Sequence, residues 1–219
     1  MNVESYRRRS ATGYVPHGPA PGDILCEPNP KLPPIGAHPA APVLVSRERG
    51  YHAASLADLG AAMELATASI YKAFSDKRAV FLAAFDRYTT RRTAHMRQVL
   101  EAEACGRGKL RAMLACYAEA SLGDEGKRGC LVVAGATELS TYEPEMAGLV
   151  AAALGRVETQ VRDLIQLGQT DRSIPSHVDA ESAARALLCF LQGLRLVGKV
   201  GRSRAEMMAV VDQAMRVLA

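Results

Sequence analysis

Between Ser55 and Phe74 the chain gathers small and hydroxylated side chains that a helix could carry to the edges of nucleic-acid bases. Taken as a helix, residues 67–74 hide Ile70 and Phe74 on one side and turn Thr67, Ala68, Ser69, Lys72 and Ala73 outward. Side chains this short let a helix sit deep in a major groove. There Thr67 and Lys72 reach base edges and Ala68 meets a thymine methyl. Ser55, Ser69, Tyr71 and Lys77 are placed to bond phosphate oxygens. Lys77 also opens the next helix, whose free amides favour anions. On periodicity alone the same segment also reads as an ordinary helical hairpin.

Cys130 is the second residue that could do chemistry. It stands between the polar stretch Gly123–Gly129 and a short apolar segment. One reading is a small buried core residue. The other is a thiol sensor for electrophiles or oxidants, with Lys127 and Arg128 lowering the thiol pKa. With Met113, Cys116, Tyr117, Val133, Thr137, Leu164 and Phe190, Cys130 is a candidate lining residue of an effector pocket, and each of these also reads as core.

Other chemistries find little support. The five cysteines (Cys26, Cys105, Cys116, Cys130 and Cys189) are odd in number and form no CxxC pair, against a disulfide framework or a zinc site. The histidines lack HExxH-like spacing, and His95 and His177 read as surface or loop residues. Gly106-x-Gly108 follows no strand, and neither GxSxG nor a Walker sequence occurs. Glu143, Glu145, Asp124 and Glu125 read as helix-start residues that complement the dipole. The chain reads as a non-enzyme without cofactor or metal.

Positioning such residues needs helices. Pro42 opens Val43–Arg49, and Gly50 falls just past its end. Ser55 caps Leu56–Met63, a break follows at Glu64–Ala66, and Thr67–Phe74 is the second short helix. Ser75 and Asp76 cap a long helix from Lys77 to about Glu103 with Val80, Phe81, Ala84, Phe85, Tyr88, Met96 and Leu100 inside, which Gly106 and Gly108 interrupt. Leu110–Leu122 follows, then the loop Gly123–Gly129, Cys130–Leu139, a helix from Pro144 to about Gly168, and a loop over Asp171–His177. Asp179 caps Ala180 to about Lys199, and Arg204–Leu218 closes the chain. No strand alternation appears, so the expected class is all-α with about nine helices. The expected domains are an irregular tail over 1–41, a helix-turn-helix domain over 42–90 and a ligand-binding and dimerisation bundle over 91–219. The tail follows from nine of the eleven prolines lying between Pro16 and Pro42.

Composition agrees with that layout. The 219 residues are 48% hydrophobic and 23% charged, with a net charge of +4. Residues 1–100 carry thirteen Lys and Arg against eight Asp and Glu, which hints at a polyanionic partner there. No apolar run reaches the roughly 18 residues of a membrane span, and none follows Arg7–Arg9, so a cytoplasmic protein is expected. Ala183, Ala184, Leu187, Leu188, Leu191, Leu194, Val210, Val211, Met215 and Leu218 make the last two helices apolar on more than one face. A second copy covering one of those faces gives a homodimer.

The N-terminal residues resemble the DNA-binding domain of the TetR family of transcriptional regulators. The resemblance rests on Gly50-Tyr51, Ser55-Leu56, Leu59-Gly60, the run Ser69-Ile70-Tyr71-Lys72-Ala73-Phe74-Ser75-Asp76-Lys77, and Ala79-Val80-Phe81. The later helices match in layout only, although Gly129-Cys130-Leu131 resembles one subgroup. The resemblance implies a repressor that binds palindromic double-stranded DNA as a homodimer and is released by a small-molecule effector. Two departures stand out. Pro39 and Pro42 shorten the first helix to roughly two turns. Glu64 also stands where the family commonly has glycine, and Ala66 replaces a usual hydroxyl cap. They leave an alternative, a dimeric ligand-binding or interaction protein with an impaired DNA-binding head.

Overall fold

The computed structural model describes residues 43, 45, 47, 51, 55–62, 69, 74–138 and 143–219. They form α1 (Leu56–Ala62), α2 (Lys77–Glu101), α3 (Gly106–Glu119), α4 (Gly123–Arg128), α5 (Leu131–Glu138), α6 (Pro144–Thr170), α7 (Ala180–Val197) and α8 (Arg204–Ala214). Short 3-10 turns follow α7 at Gly198–Val200 and α8 at Met215–Leu218. No strand occurs among the described residues, in line with the all-α expectation. Seven of these helices have seven residues or more and α4 has six, so the expected count of about nine is slightly off. No described helix is long and apolar enough to cross a membrane.

Local chemistry sets most boundaries. The Asp76 carboxylate accepts from the Ala79 N–H at 2.7 Å and starts α2. Pro144 occupies the first turn of α6, where its missing N–H costs nothing. Asp179 caps α7, and Ser203 with Glu206 forms a reciprocal capping box on α8.

Three boundaries differ from the sequence reading. Gly106 and Gly108 open α3 rather than merely interrupt a helix. The Asp171 carboxylate and the Ser173 hydroxyl accept from the Gly106 and Arg107 amides, at 2.6 and 3.0 Å, so a distant loop joins the Cys105 sulfur in capping α3. The polar stretch after Leu122 winds into α4. Tyr51 is helical, beyond the end expected at Gly50.

α3 packs on α2, α6, α7 and α8. It presents Leu110, Met113, Leu114, Tyr117 and Ala118 to one core that includes Val161, Ile165, Leu187, Leu191 and Val211. Gly106 lets α3 cross α6 at Gly168, since a Cβ on Gly106 would stand 2.2 Å from the Gly168 nitrogen. A second core joins Phe81, Ala84, Phe85 and Tyr88 of α2 to Cys130, Leu131, Met146, Val150 and Ala153, and it also takes in Val43. α2 belongs to both cores and runs unbroken across residues 90 and 91.

Candidate DNA-contact and effector sites

The DNA-facing candidates fall at the N-terminal end of this frame. Thr67, Ala68, Tyr71 and Lys72 lie outside the described residues. Ser69 is helical and exposed. Ser55 is exposed at the start of α1, with its hydroxyl engaged locally. It donates to the Asp58 carboxylate at 2.7 Å and accepts from the Asp58 N–H at 3.0 Å. Phe74 is buried, as its role behind the second short helix requires. Lys77 is the first residue of α2, and its ammonium sits 4.7 Å from the centre of the Tyr51 ring. Tyr51 in turn meets Phe81 edge-on at 5.2 Å.

The effector candidates divide among several places. Met113 and Leu164 are buried in the core around α3, and Cys116 packs against that core. Val133 packs on the second core. Thr137 is exposed, and its hydroxyl bonds back to the Val133 and Ala134 carbonyls. Phe190 lines an apolar groove of about 520 Å³ on the outer faces of α7 and α8, together with Cys189, Gly193, Val197 and Val210. Tyr117 and Cys130 meet around two arginines, the half-buried Arg92 and the buried Arg195.

That set is the most unusual chemistry in the molecule. Cys130 is buried, and its Sγ accepts from the Tyr88 hydroxyl at 3.5 Å. The guanidinium of Arg92 lies 5.7 Å from the Tyr88 ring centre and 5.0 Å from that of Tyr117. Arg195 is 1% exposed. It donates to the Ala120 carbonyl, to the Ser121 hydroxyl at 3.3 Å and to the Gly129 carbonyl at 3.1 Å. Its Nε–H has no hydrogen-bond partner among the described residues. Neither Arg92 nor Arg195 forms an ion pair with a described carboxylate.

Such cations change the thiol. Burial pushes the Cys130 thiol up, but Arg195, Arg92, the Tyr88 hydroxyl and a backbone bond from Val133 outweigh it and hold it below its ordinary value. Burial pushes the Tyr88 hydroxyl up to about 12, reinforced by Cys130. The Cys116 and Tyr117 groups are also pushed up, chiefly by burial. A thiol beside fixed cations is the arrangement that yields a nucleophilic thiolate.

The cations are not the ones the sequence suggested. Lys127 is exposed and pairs with Asp124, and Arg128 pairs with Glu125, both within α4. Sequence distance misled there, yet a usable signal existed. Arg195 follows Leu187 and Leu191 at helical spacing in the apolar stripe of α7, and Arg92 follows Tyr88 by one turn. An arginine inside an apolar stripe calls for a buried partner.

Residues 45–84 match the family described as bacterial regulatory proteins, tetR family, and residues 106–214 match the tetracyclin repressor-like C-terminal domain. The HTH-type transcriptional repressor ComR of Escherichia coli (strain K12) is 27% identical over 171 residues, spanning 78% of this chain and 81% of that protein. A cysteine mutant of the TetR family transcriptional regulator CifR, complexed with 26bp double-strand operator DNA, has a TM-score of 0.73 at 28% identity, covering 84% of this chain and 98% of the other. Reduced NemR of E. coli, at 19% identity, shares the fold with a TM-score of 0.71 over 83% of this chain and 95% of its own. Both domains of the family follow in order along one helical frame, so this chain belongs to the TetR family and is a ligand-responsive, DNA-binding transcriptional repressor.

Proposed function

We propose that this repressor holds a palindromic operator as a homodimer and lets go when a small thiol-reactive electrophile adds to Cys130. The observation that carries the reading is the Cys130 sulfur set among Arg92, Arg195 and Tyr88, which holds the thiol below its ordinary pKa. On addition to an activated alkene, the thiolate forms a carbon–sulfur bond. The alkene π pair moves to the neighbouring carbon, which takes a proton from solvent. The thioether carries no charge, so Arg92 and Arg195 lose their counter-anion in a buried setting.

In this reading Ser55, Thr67, Ala68, Ser69, Tyr71, Lys72 and Lys77 face the duplex, with Ser55, Ser69, Tyr71 and Lys77 on phosphates. Of the effector candidates, Cys116, Tyr117 and Val133 lie nearest in role to Cys130, while Met113, Leu164, Thr137 and Phe190 serve packing or surface positions. The apolar outer faces of α7 and α8, with Leu196, Val197 and Val200 exposed, take a second copy. The protein acts in the cytoplasm as a regulator, without catalysis or cofactor.

A gel shift on the DNA upstream of the protein's own gene tests this reading. Binding should weaken steeply as salt rises, because phosphate neutralisation releases counterions. Methyl vinyl ketone should abolish the shift with wild-type protein and leave it intact with Cys130→Ser. Equal release of both proteins would end the thiol reading.

A further inference from the structure

We propose that Arg47 is the latch through which the state of Cys130 reaches the DNA-binding head, a positioning residue that clasps the head to the peptide just before the sulfur. The inference rests on the thiol reading above and adds how the signal leaves that site.

Val43, Arg47 and Tyr51 are helical and spaced four apart, so they share one face of the helix that precedes the DNA-contact segment. That face lies on the stretch from Glu125 to Glu138. Val43 joins the core containing Cys130 and Leu131. The Tyr51 N–H donates to the Glu138 carboxylate at 2.9 Å. Arg47 sits between them and is 6% exposed. Its Nε–H donates to the Gly129 carbonyl at 2.8 Å, and its Nη2 donates to the Glu125 carbonyl at 3.1 Å and pairs with the Glu125 carboxylate at 2.7 Å. The guanidinium also lies 5.5 Å from the Tyr88 ring centre, over the tyrosine that bonds the sulfur.

The decisive feature is the Gly129 carbonyl. It accepts from Arg47 of the head and from Arg195 of α7 at once, and it belongs to the residue bonded to Cys130. Gly129 has φ of 79°, a backbone conformation that glycine holds without strain and from which its peptide can turn. Arg195 draws the Cys130 thiol below its ordinary pKa, and in the deprotonated form the sulfur offsets the Arg195 charge. Once the sulfur is a neutral thioether, Arg195, already with one unbonded N–H, is left with uncharged acceptors alone, two carbonyls and the Ser121 hydroxyl. An adduct that displaces Tyr88 removes the ring beneath Arg47, and one that turns the Gly129 peptide takes away the Arg47 Nε–H bond to it; either loosens the head.

The test compares operator affinity of full-length wild type, Arg47→Met and Glu125→Gln, each before and after methyl vinyl ketone, with Cys130 alkylation verified by intact mass. Arg47→Met keeps an unbranched apolar stem and removes the guanidinium donors. Glu125→Gln weakens the same clasp from its half-exposed end, so it serves if the first variant is unfolded by circular dichroism. The latch is supported if Arg47→Met, or Glu125→Gln to a smaller degree, already lowers operator affinity by about tenfold and alkylation then lowers it by less than about twofold more. If the variants bind the operator like wild type, or if alkylation costs them the full wild-type factor on top of their own loss, the latch is overturned. If wild-type protein alkylated at Cys130 keeps its operator affinity, the thiol reading falls first and the latch falls with it.

Discussion

Cys130 and Tyr88 share one proton-bearing contact, and their acidities are driven apart. The thiol is held below its unfolded value, so it contributes stability that is complete above about pH 9 and is lost as pH falls through the folded value. The phenol has the opposite sign. Its stabilisation is present below its ordinary value of 10.0 and is lost as pH rises towards about 12. Urea midpoints should therefore fall between pH 10 and 12 in the wild type, and fall less steeply there in Tyr88→Phe. Identical slopes would mean that the buried phenol is not what titrates. Cys130 stood out from its neighbourhood in the sequence, but its partners did not. Lys127 and Arg128 sit on the solvent side of α4, whereas Arg92 and Arg195 arrive from α2 and α7. Which charges surround a buried atom is settled by tertiary packing.

At the level of elements, the helices with strong end signals were the most legible. Asp76, Pro144 and Asp179 mark starts that the structure keeps, and the last long helix begins at Arg204 as read. Glycine was misleading at α3 and α4, because its low helix propensity was read without the partner that offsets it. At α3 that partner is α6. The absent Cβ of Gly106 allows a backbone approach no other residue permits. Gly106→Val should push α3 off Gly168 and cost on the order of 3 kcal/mol, seen as a lower urea midpoint with an unchanged slope. A loss within error of zero would show that the crossing adjusts freely. Of the DNA-contact candidates, Ser55, Ser69 and Lys77 fall among the described residues, the first two exposed and the third opening α2. The shortened first helix, read as a weakness, carries the Val43, Arg47 and Tyr51 contacts that tie the head to the body.

For the whole molecule, the apolar excess of α7 and α8 divides as the sequence implied. Leu187, Leu191 and Val211 face inward, and Leu196, Val197, Val200 and Val210 remain exposed, with Val197 and Val210 lining the groove. A charged side chain at the centre of that surface should undo the twin. Val197→Asp is expected to raise the dimer dissociation constant on the order of a hundredfold, read by light scattering across a dilution series. Operator affinity should drop with it, since two half-sites are then engaged by independent chains. A dimer of undiminished strength would place the interface elsewhere.

α2 has a mechanical consequence of its own. Its 25 residues at 1.5 Å per residue make a lever of about 37 Å, with one end beside the DNA-contact segment and the other in the core around α3. A tilt of about 5° at the inner end would swing the outer end by roughly 3 Å, close to the 3.4 Å step between stacked base pairs. In a two-fold pair both arms swing, so a sub-ångström rearrangement near the pivot would put the two reading heads out of phase with the helical repeat of the duplex.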